Sequence, residues 1–223
     1  MTHPTTGRAM SLAMLAGVAV AFGAAAPAHA QNDAHPPLAP ARDVQVEYNV
    51  QPDGAPAPKA IQTWFTANGG MMRIDSPEGL GSTILDRAAR QVTIVLNKQK
   101  VYTQLDARNG IRNPFLLDLS MQFTRKGTGQ VAGLACTVWD IVSGRGTATA
   151  CVTDDGVILR EDGVDGDGMK GRLEATKVTY GPLPVSLFQP PQGYQLVMRH
   201  RVAPSHDVGG GQPVTGGAAQ PNP

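Results

Sequence analysis

Two cysteines and one run of carboxylates are the residues of this chain whose type and spacing could do chemistry. Cys136 and Cys151 flank Ser143-Gly144-Arg145-Gly146, and the segments on either side read as the two strands of a hairpin. If Ser143-Gly144 is a two-residue loop, the cysteines stand opposite each other with Cβ atoms about 4.5 to 5.5 Å apart, close to what a disulfide requires. A four-residue turn pairs Cys151 with Val138 instead and leaves the cysteines diagonal. A zinc site wants four ligands and a redox pair wants Cys-x-x-Cys; neither spacing occurs, so a structural disulfide is expected.

The carboxylate run Glu161-Asp162-Gly163-Val164-Asp165-Gly166-Asp167-Gly168 invites a metal test, because hard cations prefer closely spaced oxygens in a loop that glycine lets bend. It fails the calcium-loop pattern. With Asp165 and Asp167 as first and third ligands, Met169 falls where the next ligand belongs and Lys170 where the glycine belongs. The run reads as a solvated turn between strands, and Asp154-Asp155 reads the same way. All five histidines lie in the leader or near the chain ends, so no Ser-His-Asp triad and no histidine-held metal is expected in the body. No glycine-rich phosphate loop follows a strand and opens a helix. The expectation is a protein that is not an enzyme, with no cofactor and no metal.

What remains is apolar. Trp64, Met72, Ile74, Phe115, Leu116, Leu119 and Trp139 are the candidate lining of a hydrophobic ligand site, for a lipid or a lipidated partner. The same residue types also build ordinary cores, which leaves an envelope protein-interaction module with a self-plugged core as the alternative.

The elements that must position these residues follow from the order of the chain. Residues 1–30 hold one basic residue, Arg8, an uncharged run from Met10 through Ala26, and Ala28-His29-Ala30: the pattern of a secretory signal peptide cleaved after Ala30. A periplasmic location is expected, with secretion as the lesser reading, and such an oxidising compartment keeps disulfides. No later stretch is long and apolar enough to span a bilayer. The 19 basic and 18 acidic residues nearly balance, and loss of Arg8 makes them equal. With no basic patch beyond Arg125-Lys126, no nucleic-acid partner is expected.

Residues 31–42, rich in Pro and Ala, read as a flexible linker, 43–201 as a single β domain, and 202–223 as a disordered Gly/Pro/Gln-rich tail. Within the domain, Val44, Val46, Tyr48 and Val50 alternate with polar residues, and short strands follow over 60–66, 71–75, 82–85, 91–96 and 100–105, each bounded by turn formers. Strands this close together argue for an antiparallel meander. Asn113 and Pro114 can open a helix over Phe115 to Met121, apolar nearly all round and therefore buried in the sheet or lying over it. Gly127-Thr128-Gly129 reads as a corner, and 169–180 as the longest strand.

These runs resemble an uncharacterised family of exported bacterial domains allied to the outer-membrane lipoprotein carrier superfamily, the LolA-like fold. The likeness is carried by Ile84-Leu85-Asp86-Arg87, by Val95 to Tyr102, by Val131-Ala132-Gly133-Leu134-Ala135-Cys136-Thr137-Val138-Trp139, by Ala150 to Arg160, and by Leu187-Phe188 before Pro191-Gln192-Gly193-Tyr194. The resemblance implies a curved antiparallel sheet, an unclosed half-barrel, with helix in or over its concave face and no catalysis. It implies no particular ligand residue here.

Overall fold

The computed structural model describes residues 35–107, 114–165 and 168–198. The expected leader over 1–30 and the tail over 202–223 lie outside the described residues. The alternating first strand, β1 (Val44–Pro52), is the middle of one open, curved sheet of 12 strands. From it β2 (Lys59–Phe65), β3 (Met71–Asp75), β4 (Gly81–Asp86), β5 (Gln91–Leu96) and β6 (Val101–Asp106) run outward as an antiparallel meander. A second meander, β7 (Gln122–Val131), β8 (Leu134–Ser143), β9 (Gly146–Val152), β10 (Ile158–Val164) and β11 (Lys170–Tyr180), returns from the opposite edge until β11 pairs with β1. The two-residue β12 (Gln195–Leu196) adds in parallel beside β6.

This order has a consequence for the connection between β6 and β7. The two strands are consecutive in sequence but belong to opposite sides of the sheet, so the chain between them must cross it. It crosses on the inner face, where Phe115, Leu116 and Leu117 are buried in the main core with Val44, Val46, Tyr48, Phe65, Met72 and Trp139. The helix expected over Phe115 to Met121 does not form. Its residues make two turns around an extended stretch, and the described helical elements are three short 3₁₀ turns. Burial on nearly all sides, read as a helix signal, is satisfied equally by an extended strap pressed between sheet and lead-in.

The lead-in expected to be flexible over 31–42 is, from His35 onward, laid across the same face. Pro36 and Pro40 are buried, and proline enters a core with one fewer polar group to satisfy because it has no N–H. The Leu117 N–H donates to the Leu38 carbonyl at 3.3 Å, Asn68 to Pro40 at 2.7 Å and Ala41 to Asp155 at 2.8 Å. Gly156, at φ +89°, is required there: a Cβ would stand 2.3 Å from the Ala39 carbonyl oxygen. Arg42 closes the seam, its Nε 2.8 Å from Asp155 Oδ2 and its guanidinium 3.7 Å from the centre of the Tyr180 ring.

The outer face of the first meander carries a second cluster. Trp64, Ile84 and Val95 are covered by the chain after β11, through Leu183, Leu187 and Phe188. Arg73 fixes that cover, donating to the Leu187 carbonyl at 2.8 Å while its Nε lies 2.6 Å from Asp75. Gly127-Thr128-Gly129, expected as a corner, continues β7 past a bulge between Arg125 and Gly127.

Between β8 and β9, Ser143 pairs with Gly146, so the turn is Ser143 to Gly146 and Cys151 pairs with Val138. The cysteines are therefore diagonal, and they are joined as a disulfide with Cα atoms 5.4 Å apart.

Candidate functional site

The inner face of the sheet is where the candidate ligand residues should meet, and strand alternation decides which of them do. Phe65 pairs with Met72 and Met72 with Leu85, which places Met72, and Ile74 two positions on, on the inner face. Trp64, one residue from Phe65, points to the outer face and packs against Phe188. Trp139 faces inward and meets Phe123 edge-on, ring centres 6.4 Å apart. Phe115 lies against Tyr48 at 5.1 Å between ring centres, and Leu116 is buried beside it. Leu119 stays 72% exposed. The inner face thus gathers Met72, Ile74, Phe115, Leu116 and Trp139, and leaves Trp64 and Leu119 elsewhere.

These side chains pack against one another rather than around a void. The inner-face recess bounded by Val50, Pro52, Pro114, Phe115 and Leu173 measures about 70 Å³, against several hundred for a site that holds a small molecule. A strip nearer the β6 edge is less covered: Ile74, Ile94, Val101 and Leu105 share the inward phase and are half-buried.

One inner-face residue was not singled out by the sequence. Glu161 lies on β10 opposite Ala150 and Leu173, only 6% exposed. Burial pushes its carboxyl up to about 7, and the nearby charge of Asp165 adds to the effect. Reading 161–168 as one solvated turn hid it, because the strand extends through Val164 and the turn begins only at Asp165. The alternation Leu159, Glu161, Gly163 would have placed it on the inward side of a strand.

The other carboxylates have structural work. Burial raises Asp155, but hydrogen bonds from Thr153, Arg42 and Tyr180 outweigh it and hold the carboxyl below its usual range. Asp165 closes its turn, with its Oδ1 accepting from the Met169 N–H at 2.9 Å. Tyr48 donates its hydroxyl to the Ile158 carbonyl at 2.7 Å, and burial raises that hydroxyl well above the ordinary phenol range. Among the described residues no group of three His, Cys, Asp or Glu side chains is placed to hold a metal ion, and no helix is long and apolar enough to cross a membrane. The disulfide fits an oxidising compartment.

Residues 55–160 match the family model described as domain of unknown function DUF4412. No curated protein matches the chain. Among solved structures, an uncharacterised conserved protein from Thermus thermophilus is similar over 71% of this chain and 91% of its own, at 13% identity and a TM-score of 0.48. The Pseudomonas aeruginosa MucA/MucB complex gives 17% identity over 66% of this chain and 55% of the matched one, with a TM-score of 0.45. PNGF-II gives 14% identity and 0.44, over 71% of this chain and 31% of its own. The chain therefore spans about half of the MucA/MucB match and under a third of PNGF-II, and these are likenesses of chain course only.

Proposed function

We propose that this chain, which carries the DUF4412 domain of unknown function over residues 55–160, is a non-enzymatic periplasmic interaction module whose concave face is filled by its own polypeptide. The filling by Phe115, Leu116 and Leu117, with Leu38 and Ala39 of the lead-in packed against the same core, carries the reading. The apolar recess it leaves beside Val50, Phe115 and Leu173 measures about 70 Å³, small for an acyl chain. The larger hollows at Asp118 to Met121 and at Asp53 are lined mainly by polar residues and glycine. A partner would then use the sheet's periphery, and β7 offers it a ten-residue strand at the edge of the sheet. An added strand gains main-chain hydrogen bonds there. The bulge at Lys126 blunts the edge against indiscriminate pairing.

The second reading is a lipid or lipidated partner held on the half-buried strip of Ile74, Ile94, Val101 and Leu105. That strip, together with the exposed Leu119, is the observation that favours it. Native mass spectrometry of the protein released gently from the periplasm separates the two. The interaction reading expects the mass of the disulfide-bonded chain, alone or with a second polypeptide. A heterogeneous added mass that extracts as lipid would replace it with the second reading.

A further inference from the structure

We infer that the recess beside Glu161 is a binding site for a primary alkylammonium group. The recess opens where the cross-strand pair Gly163 and Gly171 places no side chain on the inner face, next to the pair Glu161 and Leu173. Val50, Pro52, Phe115 and Leu173 give it apolar walls, and Asp165, Lys170 and Arg172 also border it. Glu161 is more than nine-tenths buried, and among the described residues nothing donates a hydrogen bond or ion pair to its carboxyl. A buried carboxylate in such walls is costly unless it is paired or protonated.

The groups around it do not supply a cation. Facing Glu161 are Ala150 from β9, Leu173 from β11, Phe115 and Leu117 from the crossing strap, and Asp165 from the end of its own strand. Tyr48 on β1 has committed its hydroxyl to Ile158. At the rim, Lys170 Nζ lies 3.0 Å from Asp53 and Arg172 Nη2 lies 2.6 Å from Glu174. Among the described residues no group pairs with the ionised carboxyl, which is left to hold a proton or to take a cation. An ammonium on a short methylene stem fits this combination, because the head supplies charge and three donors while the stem lies on Val50, Phe115 and Leu173. At about 70 Å³ the recess fits a side-chain-sized group, and it adjoins a more polar hollow of about 310 Å³ bordered by Asp53, Asp162 and Lys170. A partner's lysine and a free alkylamine share this chemistry. The inference does not depend on the interaction-module reading, since either source can reach the site.

The test is a carboxyl-carbon NMR titration of the full chain labelled at glutamate, with n-butylammonium chloride against matched sodium chloride. The Glu161 resonance should move saturably, and its titration midpoint should fall by at least one pH unit at saturation. Binding should be about tenfold tighter at pH 8 than at pH 6, as the ionised fraction of a carboxyl near 7 rises by that factor. n-Butanol, of the same shape without the charge, should not compete. Nα-acetyl-lysine amide distinguishes the sources: tighter binding than butylammonium assigns a polypeptide lysine, and equal binding assigns a free amine. Glu161→Gln, with its fold checked by circular dichroism, should abolish the response. An unmoved midpoint in the unaltered chain, an equal response to butanol, or retained binding in folded Glu161→Gln overturns the inference. If that variant does not fold, the midpoint in the unaltered chain decides alone.

Discussion

Glu161 is a single carboxyl that makes the whole molecule's stability depend on pH. Its folded value, near 7, lies above the ordinary 4.5, so the folded state holds a proton that the unfolded chain has released between those values. The stabilising contribution is complete below about pH 4.5 and is lost as pH rises through 7. A shift of this size corresponds to about 3 kcal/mol. Urea unfolding should therefore give a chain less stable at pH 8 than at pH 5, and Glu161→Gln, which stays neutral, should flatten that difference. Equal pH dependence in both proteins would mean that Glu161 is not buried as described. Gly129 is a second residue-scale case: a Cβ there would stand 3.0 Å from Cys151 Sγ and 3.4 Å from Val138 Cγ2. The disulfide occupies the space that a side chain on β7 would need. Gly129→Ala should cost about 1 to 3 kcal/mol by overpacking in the oxidised protein, and less once the bond is reduced.

The element that decides the character of the inner face is the strap from Pro114 to Met121. Phe115 and Leu119 are four residues apart in one apolar run, yet one is buried on Tyr48 and the other stands in solvent. Phe115→Ala should cost about 3 to 5 kcal/mol as a large-to-small core change. Leu119→Ala should stay within about 0.5 kcal/mol, as for an ordinary surface site. Chemical denaturation of the two variants checks the contrast, and similar losses would mean that the strap packs differently. The β8–β9 hairpin is the other decisive element. Its disulfide closes a loop of sequence separation 15, for which the loop-entropy model gives about 3 kcal/mol. Denaturation midpoints with and without reductant should differ accordingly.

For the whole molecule, the open sheet is closed against water by chain from outside its strands. The lead-in from His35 and the strap cover the inner face, and the segment around Phe188 covers the outer face of the first meander. A chain beginning at Asp43 loses the buried Pro36 and Pro40, the backbone bonds from Leu117, Asn68 and Ala41, and the Arg42–Asp155 pair. It should bind a hydrophobic fluorescent dye that the full chain excludes, and unfold at lower denaturant. A shortened chain with unchanged stability and no dye binding would show the lead-in to be dispensable.

Strand content and disulfide were legible because both rest on local signals. The alternation from Val44 to Val50, turn formers such as Asn68-Gly69, and two cysteines without metal or redox spacing need no knowledge of distant chain. The hairpin register was narrowed to two and no further, since turn length alone separates them. Tertiary structure alone decided that Trp64 and Met72 face opposite ways, that the apolar run at Phe115 is an extended strap, and that a Pro/Ala linker is part of the core. It also decided that β10 runs on through Val164, the fact that makes the alternation at Glu161 an inner-face signal. In each case the deciding contact lies far away in sequence: Phe188 over Trp64, Leu38 on Leu117, Leu173 beside Glu161. Composition states how much apolar surface must be covered, and only the path of the chain between the two meanders determines which segment covers it.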